Sequence, residues 1–233
     1  MKKFLIYFFV SIIILFSSLI VFLSFYGYQT DRFNKIIQSE INNSKKGINL
    51  EFDEISILLD IKKLTLFVKF INPEVQYNSI KIPLKVLRAN ISILSLIKNE
   101  ISIKNVNAET KFFEIDLIKN YVSQIKIDKI YKNFIKEIDT SKIKLKSGFS
   151  FDNAFSIKDF TLNGIVKDTN IGSNTKYKLS NLNLNFLYKN EIIKVYNLSA
   201  KSEYINIENG KIDILNNKDT TNLKFNSKII FQS

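Results

Sequence analysis

The chain has no cysteine and no histidine, and only two prolines and six glycines in 233 residues. Without cysteine there is neither a disulfide nor a thiolate metal site. Without histidine the commonest general base and the commonest metal ligand are missing, and no Ser/His/Asp triad can form. Gly27, Gly47, Gly148, Gly164, Gly172 and Gly210 are isolated, so no glycine-rich loop can cradle a phosphate. A Ser–Lys or carboxylate pair is the catalytic device this composition leaves, and no spacing singles one out. The chain is therefore expected not to be an enzyme and to carry no cofactor and no metal. Turns must rely on Asn, Asp and Ser, as at Asn216-Asn217-Lys218-Asp219. Arginine is equally scarce: Arg32 and Arg88 stand alone. The net charge of +12 is spread as lysine through a chain rich in Ile, Lys and Asn. No motif for reading bases accompanies it, and no nucleic-acid partner is expected. Ile, Lys and Asn are the set that AT-rich codons supply, which is the first reading of the charge; attraction of the lysines to anionic lipid headgroups is the second.

The clearest positive feature lies in the first thirty residues. Lys2 and Lys3 precede an uncharged apolar stretch from Phe4 to Tyr26, and the next charge is Asp31. As a helix this stretch is about 35 Å long, enough to cross a ~30 Å hydrocarbon core. It is longer than the ~7–15 residues of a signal-peptide core, and Leu23-Ser24-Phe25-Tyr26-Gly27 makes a poor cleavage site. An uncleaved anchor over residues 1–28 is expected. Lys2 and Lys3 favour a cytoplasmic N-terminus, although Arg32, Lys35, Lys45 and Lys46 on the far side pull the other way.

Residues 29–47 read as a juxtamembrane amphipathic helix. Thr30 is its candidate cap, Phe33, Ile36, Ile37 and Ile41 form one stripe, and Gly47 is the stop. From Ile48 the period changes to two. Ile48, Leu50 and Phe52 alternate with polar residues, and Ile55, Ile57 and Leu59 follow on the opposite parity after a turn or bulge. Leu64, Leu66, Val68 and Phe70, then Ile80, Ile82, Leu84 and Val86, continue the pattern through a first β unit at 48–110. Pro83 cannot donate to a ladder and marks an edge or a bulge. Helical spacing returns in an insertion at 111–140, read as one kinked helix or two short ones. Alternation then fills a second antiparallel unit at 141–233, with a Lys-bearing open edge at the C-terminal strand.

The expected class is mainly β: an N-terminal transmembrane helix followed by a curved antiparallel sheet, or groove, with a helical insertion. Every strand has one apolar side, and each such side must be covered. A second sheet, the helical insertion, or acyl chains taken up in a trough are the three possible covers.

The layout resembles the N-terminal part of the AsmA/TamB/YhdP group of envelope proteins. The anchor leads into YQTDRFNKIIQSEINN, similar to that family's short helix after the membrane, and INLEFDEISILLDIKKLTLFVKF resembles its first hairpin. Ile91, Ile93, Leu94, Leu96, Ile97, Ile101, Ile103 and Val106 carry a pattern like its strand signature. The resemblance implies a repeating β-groove with an apolar interior, held in the inner membrane and projecting into the periplasm. It further implies phospholipid movement in cell-envelope biogenesis. On that expectation the groove is lined by Leu64, Leu66, Val68, Ile80, Ile82, Leu84, Ile91, Ile93, Ile101, Ile103, Leu182, Leu184 and Phe186. The expected partners are phospholipid acyl chains, the inner membrane and, by edge pairing, another envelope β-protein. The alternative is a scaffold or assembly factor for outer-membrane proteins that binds no lipid and works through its sheet edge.

Overall fold

A computed structural model describes residues 2–44, 48–77, 80–93, 103–125, 128–152, 156–172, 178–216 and 221–231. The apolar N-terminal run forms helix α1 (Lys2–Phe25), long and apolar enough to span a membrane and exposed along most of its length. Strand β1 (Tyr28–Thr30) follows directly. Thr30 is buried in this strand and does not cap a helix from the outside, although its Oγ1 does accept a hydrogen bond from the Arg32 N–H at 3.2 Å. Helix α2 (Asn34–Ser44) begins later than the sequence implies. The Asn34 side-chain amide donates to the Asp53 carbonyl at 2.6 Å and ties its first turn to the sheet.

Most of the remaining described residues form one large, curved, open antiparallel sheet of fourteen strands. The first unit contributes β2 (Ile48–Glu51), β3 (Glu54–Asp60), β4 (Thr65–Ile71), β5 (Glu74–Tyr77), β6 (Ile80–Ser92) and β7 (Ile103–Thr110). The parity change after Phe52 is a real break. β2 and β3 do not pair with each other: β2 pairs with β5, whereas β3 pairs with β4. β6 is long enough to pair with β5 through Ile80–Pro83 and with β4 through Leu87–Ser92, while β7 lies on its other side. Pro83 sits where β6 changes partner, and a register shift follows between Leu84 and Val86, so the missing donor costs no ladder bond in mid-strand.

The insertion contains β8 (Phe113–Glu114) and two short helices, α3 (Ile115–Gln124) and α4 (Lys129–Glu137). The second unit is β9 (Ile138–Phe151), β10 (Ile157–Ile171), β11 (Leu179–Lys189), β12 (Ile192–Lys201), β13 (Ile205–Asn216) and β14 (Thr221–Phe231), a simple meander. Pairing of β7 with β9 joins the two units into one sheet. The turns expected at Lys98–Glu100 and Asn217–Asp219, and the helix stop at Lys45–Gly47, lie outside the described residues.

Asparagine and aspartate take the place of glycine. Among the described residues eight non-glycine residues have positive φ, and six of these are Asn or Asp, the side chains that adopt this region at least cost. Asn190 and Glu191 form a two-residue hairpin loop between β11 and β12, both at positive φ. Asp168, Asn181, Asn197 and Asn209 have a different role. Each coincides with a register shift, and together they place bulges on four successive strands, β10 to β13. A bulge bends its strand and increases the local twist. A row of them curves this half of the sheet.

Candidate functional site

The register sorts the side chains onto two faces. On one face Leu66, Val68 and Phe70 of β4 align with Ile91, Ala89 and Leu87 of β6. The same face continues through Val106 to Phe149, Phe160 and Tyr188, and from Leu184 and Phe186 across to Val195, Ile212 and Phe225. It is apolar over most of its extent, interrupted by Thr30 and Ser147. The other face carries Arg88, Glu109, Lys144, Lys146, Lys194, Asp213 and Lys224 at the alternate positions.

The apolar face is not covered uniformly. Near the anchor Leu50 and Phe52 come down on Ile55, Val68 and Phe70, with Phe52 and Phe70 edge to face at 4.9 Å, and Ile37 of α2 packs against the group. This end is a closed core. Over β9, Ile115 of α3 packs with Phe113 and Ile143, and Leu117, Ile118 and Leu145 surround them. Tyr121 of α3 meets Tyr77 of β5 at 5.6 Å. Beyond β10, among the described residues, no helix packs extensively on the face. Its side chains are shielded mainly by one another. The rings of Phe149, Phe160 and Tyr188 make a chain of contacts at 4.9 and 5.8 Å. Phe186 lies over Gly164, so close that a Cβ there would meet its ring. At the outer strand Leu223 is 66% exposed and Phe231 75%.

The expected lining residues divide along this boundary. Leu66, Val68, Ile80, Ile82, Leu84, Ile91 and Ile103 are on the apolar face or at its end in the first unit, where β2, α2 and α3 supply cover. Leu182, Leu184 and Phe186 are half-buried on β11 in the uncovered part. Ile93 lies just past β6, its N–H donating to the Leu64 carbonyl at 3.1 Å. Leu64 is in the β3–β4 turn at φ +48°, half exposed, and has no partner in the β3–β4 or β4–β6 register. Ile101 lies outside the described residues, as do Leu94, Leu96 and Ile97. Phe149, Phe160, Tyr188, Val195, Ile212 and Phe225 were not among the expected residues and belong to the same face. Alternation was visible on their strands, but not that β10 to β14 lie beyond the cover whereas β9 lies beneath α3.

The chain matches no protein-family model, no curated protein and no solved structure. The polar face offers less. Glu109 is held by Lys144 at 2.7 Å and Lys85 at 3.5 Å, and the hydrogen bond and charge of Lys144 keep its carboxyl below the usual carboxylate range. Two shallow depressions share Glu109 and Lys146, with volumes of about 150 and 190 Å³. Small-molecule sites usually need ~300–1,000 Å³. Among the described residues no cluster of three carboxylates could hold a metal ion.

Proposed function

We propose that the chain is a single-pass membrane protein whose open apolar sheet face receives phospholipid acyl chains, in the manner of the AsmA/TamB/YhdP proteins it resembles. In this reading α1 sits in the inner membrane with its N-terminus in the cytoplasm. The body stands in the periplasm and binds or passes lipid in envelope biogenesis without catalysis. The observation that carries the reading is the contrast along one face: closed by Leu50, Phe52 and α2 at one end, uncovered from β10 to β14 at the other. Large uncovered apolar surfaces mark sites where something else binds. An acyl chain laid along the face gains about 25 cal/mol for each Å² of apolar surface removed from water, while its headgroup stays at the rim.

Edge pairing with another envelope β-protein is the second reading. It is favoured by β14, whose outer side has no partner among the described residues and whose Leu223 and Phe231 are the most exposed large apolar side chains of the described strands. A photoreactive phenylalanine analogue separates the two. Placed at Tyr188 or Phe225 on the apolar face it should form phospholipid adducts in cells, and placed at Asn163 on the polar face it should not. Protein adducts alone at Phe225, with no lipid at Tyr188, would favour the edge partner. Equal lipid labelling on both faces would defeat the groove.

A further inference from the structure

The turn between β3 and β4 shows an unusual choice of residues for a loop in water. Ile61-Lys62-Lys63-Leu64 exposes both of its aliphatic side chains, at 50% and 49%, next to two exposed lysines. The turn is held by its own bonds: the Lys63 N–H donates to the Asp60 carboxylate at 3.1 Å and the Leu64 N–H to the Ile61 carbonyl at 3.3 Å.

Its position follows from the register. β1 leaves the end of α1 and pairs antiparallel with β3, Tyr28 opposite Ile57 and Thr30 opposite Ile55. β3 therefore runs back toward α1. It passes Gly27 so closely that a Cβ there would lie 2.9 Å from the Ile57 carbonyl oxygen and 3.0 Å from Leu58 Cγ. α1 packs against this strand, and Leu23 and Ser24 are half-buried in its last turns. From Ile57 the strand continues to Asp60, about 10 Å further toward the span at ~3.3 Å per residue. The turn thus lies level with the end of α1, beside the exposed rings of Tyr26 and Tyr28.

We infer that the Ile61–Leu64 turn is a second membrane contact, inserted into the interface of the leaflet from which α1 emerges. Ile61 and Leu64 enter the boundary between headgroups and acyl chains, and Lys62 and Lys63 meet anionic lipid phosphates. Tyr26 and Tyr28 belong at the same depth, where aromatic rings with a polar tip are favoured. Together with the packing of α1 on β3, this contact fixes the tilt of the sheet against the bilayer. The strand ends at Ser92 and Ile103 are then the membrane-proximal ends of β6 and β7. This inference rests on α1 spanning the bilayer. It does not rest on lipid binding by the sheet face, since a scaffold would be held in the same way.

The chain has no tryptophan, so single-tryptophan variants of the full protein give an unambiguous signal. Leu19→Trp reports the span, Ile61→Trp the turn, and Tyr204→Trp an exposed site at the opposite ends of the strands. Each is reconstituted in vesicles of phosphatidylcholine and phosphatidylglycerol, with and without lipids brominated near the headgroup end of the acyl chain. Ile61→Trp should emit at shorter wavelength than Tyr204→Trp and be quenched by the bromolipid, and Tyr204→Trp should not. Adding Lys62→Glu and Lys63→Glu should weaken the quenching at position 61. If Leu19→Trp is quenched and Ile61→Trp behaves like Tyr204→Trp, the turn is in water and the inference fails. Equal quenching at 61 and 204 would mean a sheet lying flat, which overturns it as well. No quenching at Leu19 would remove the span itself, and the inference with it.

Discussion

Gly164→Ala is a one-methyl test of where the apolar side chains of the second unit stand. Gly164 of β10 is paired with Phe186 of β11, and the aromatic ring lies across the glycine. A Cβ at 164 would coincide with the Cε1 and Cζ region of that ring and lie 2.7 Å from its Cδ1. Real side chains do not approach so closely, so the ring must leave its place. Overpacking of this kind costs ~1–3 kcal/mol. The alanine also restricts the unfolded chain, which returns ~0.4–1 kcal/mol. The net expectation is a loss of ~1–2 kcal/mol. The decisive form is a cycle of Gly164→Ala, Phe186→Leu and the pair, followed by far-UV circular dichroism during urea unfolding of the full chain in one detergent. With leucine at 186 the space over residue 164 opens, so the double variant should be less destabilised than the sum of the singles by ~1 kcal/mol or more. Additivity within ~0.5 kcal/mol would mean that the two sites do not meet, and would refute the placement of Phe186 on this face.

Thr169→Val should cost ~1–3 kcal/mol in the same assay. It takes from the buried Ser141 hydroxyl its 2.7 Å hydrogen-bond partner, and combining it with Ser141→Ala should recover much of the loss. Asn197→Gly should be neutral within ~0.5 kcal/mol, whereas Asn197→Val should lose ~1–3 kcal/mol, because φ is +55° at that bulge and a β-branched side chain resists the left-handed region. Glu109→Gln should lower stability by at most ~1 kcal/mol at neutral pH. Because the folded carboxyl is held below its ordinary value near 4.5, the wild-type advantage should be complete above that value and fade as pH falls through the lower folded one. Urea midpoints of the two proteins across acidic pH should converge at the acid end.

Alternation made most strands legible, because period-two patterning depends only on each residue and its own strand. Phe149, Leu162 and Ile193 were readable in this way, and so was the helical break between Ile115 and Glu137. Pairing was less legible. Ile48–Glu51 and Glu54–Asp60 look like the arms of one hairpin, yet β2 pairs with β5 and forms the cover over Val68 and Phe70. Leu64 shows the limit of extending a period past the end of a strand: it continues the alternation of Leu66 and Val68, but positive φ at the turn takes it out of the ladder. The bulges were hidden for the opposite reason. Asn181, Asn197 and Asn209 stand in a chain crowded with asparagine, so their backbone role had no compositional contrast. Above all, Val68 and Leu184 both sit at period-two apolar positions of their strands. One faces a closed core and the other an uncovered strand, because cover comes from distant elements that alternation does not encode.

If the sheet receives lipid as proposed, the position of the closed core constrains the path that lipid would take. Leu50 and Phe52 are 3% and 7% exposed, and burying such side chains is worth ~1.5–3 kcal/mol each. Displacing them would also strip Val68 and Phe70. An acyl chain moving strand by strand outward from β3 is therefore opposed at the first step, and the apolar route does not begin at the anchor-side edge. Among the described residues one opening remains, the uncovered stretch from β10 outward. The closed end also gives the sheet a core of its own, so β10 to β14 can be added by backbone pairing to an existing edge without needing a second layer. An uncovered face is then sustainable. Side chains such as Phe186, folded across Gly164, reduce its exposure until something better covers it.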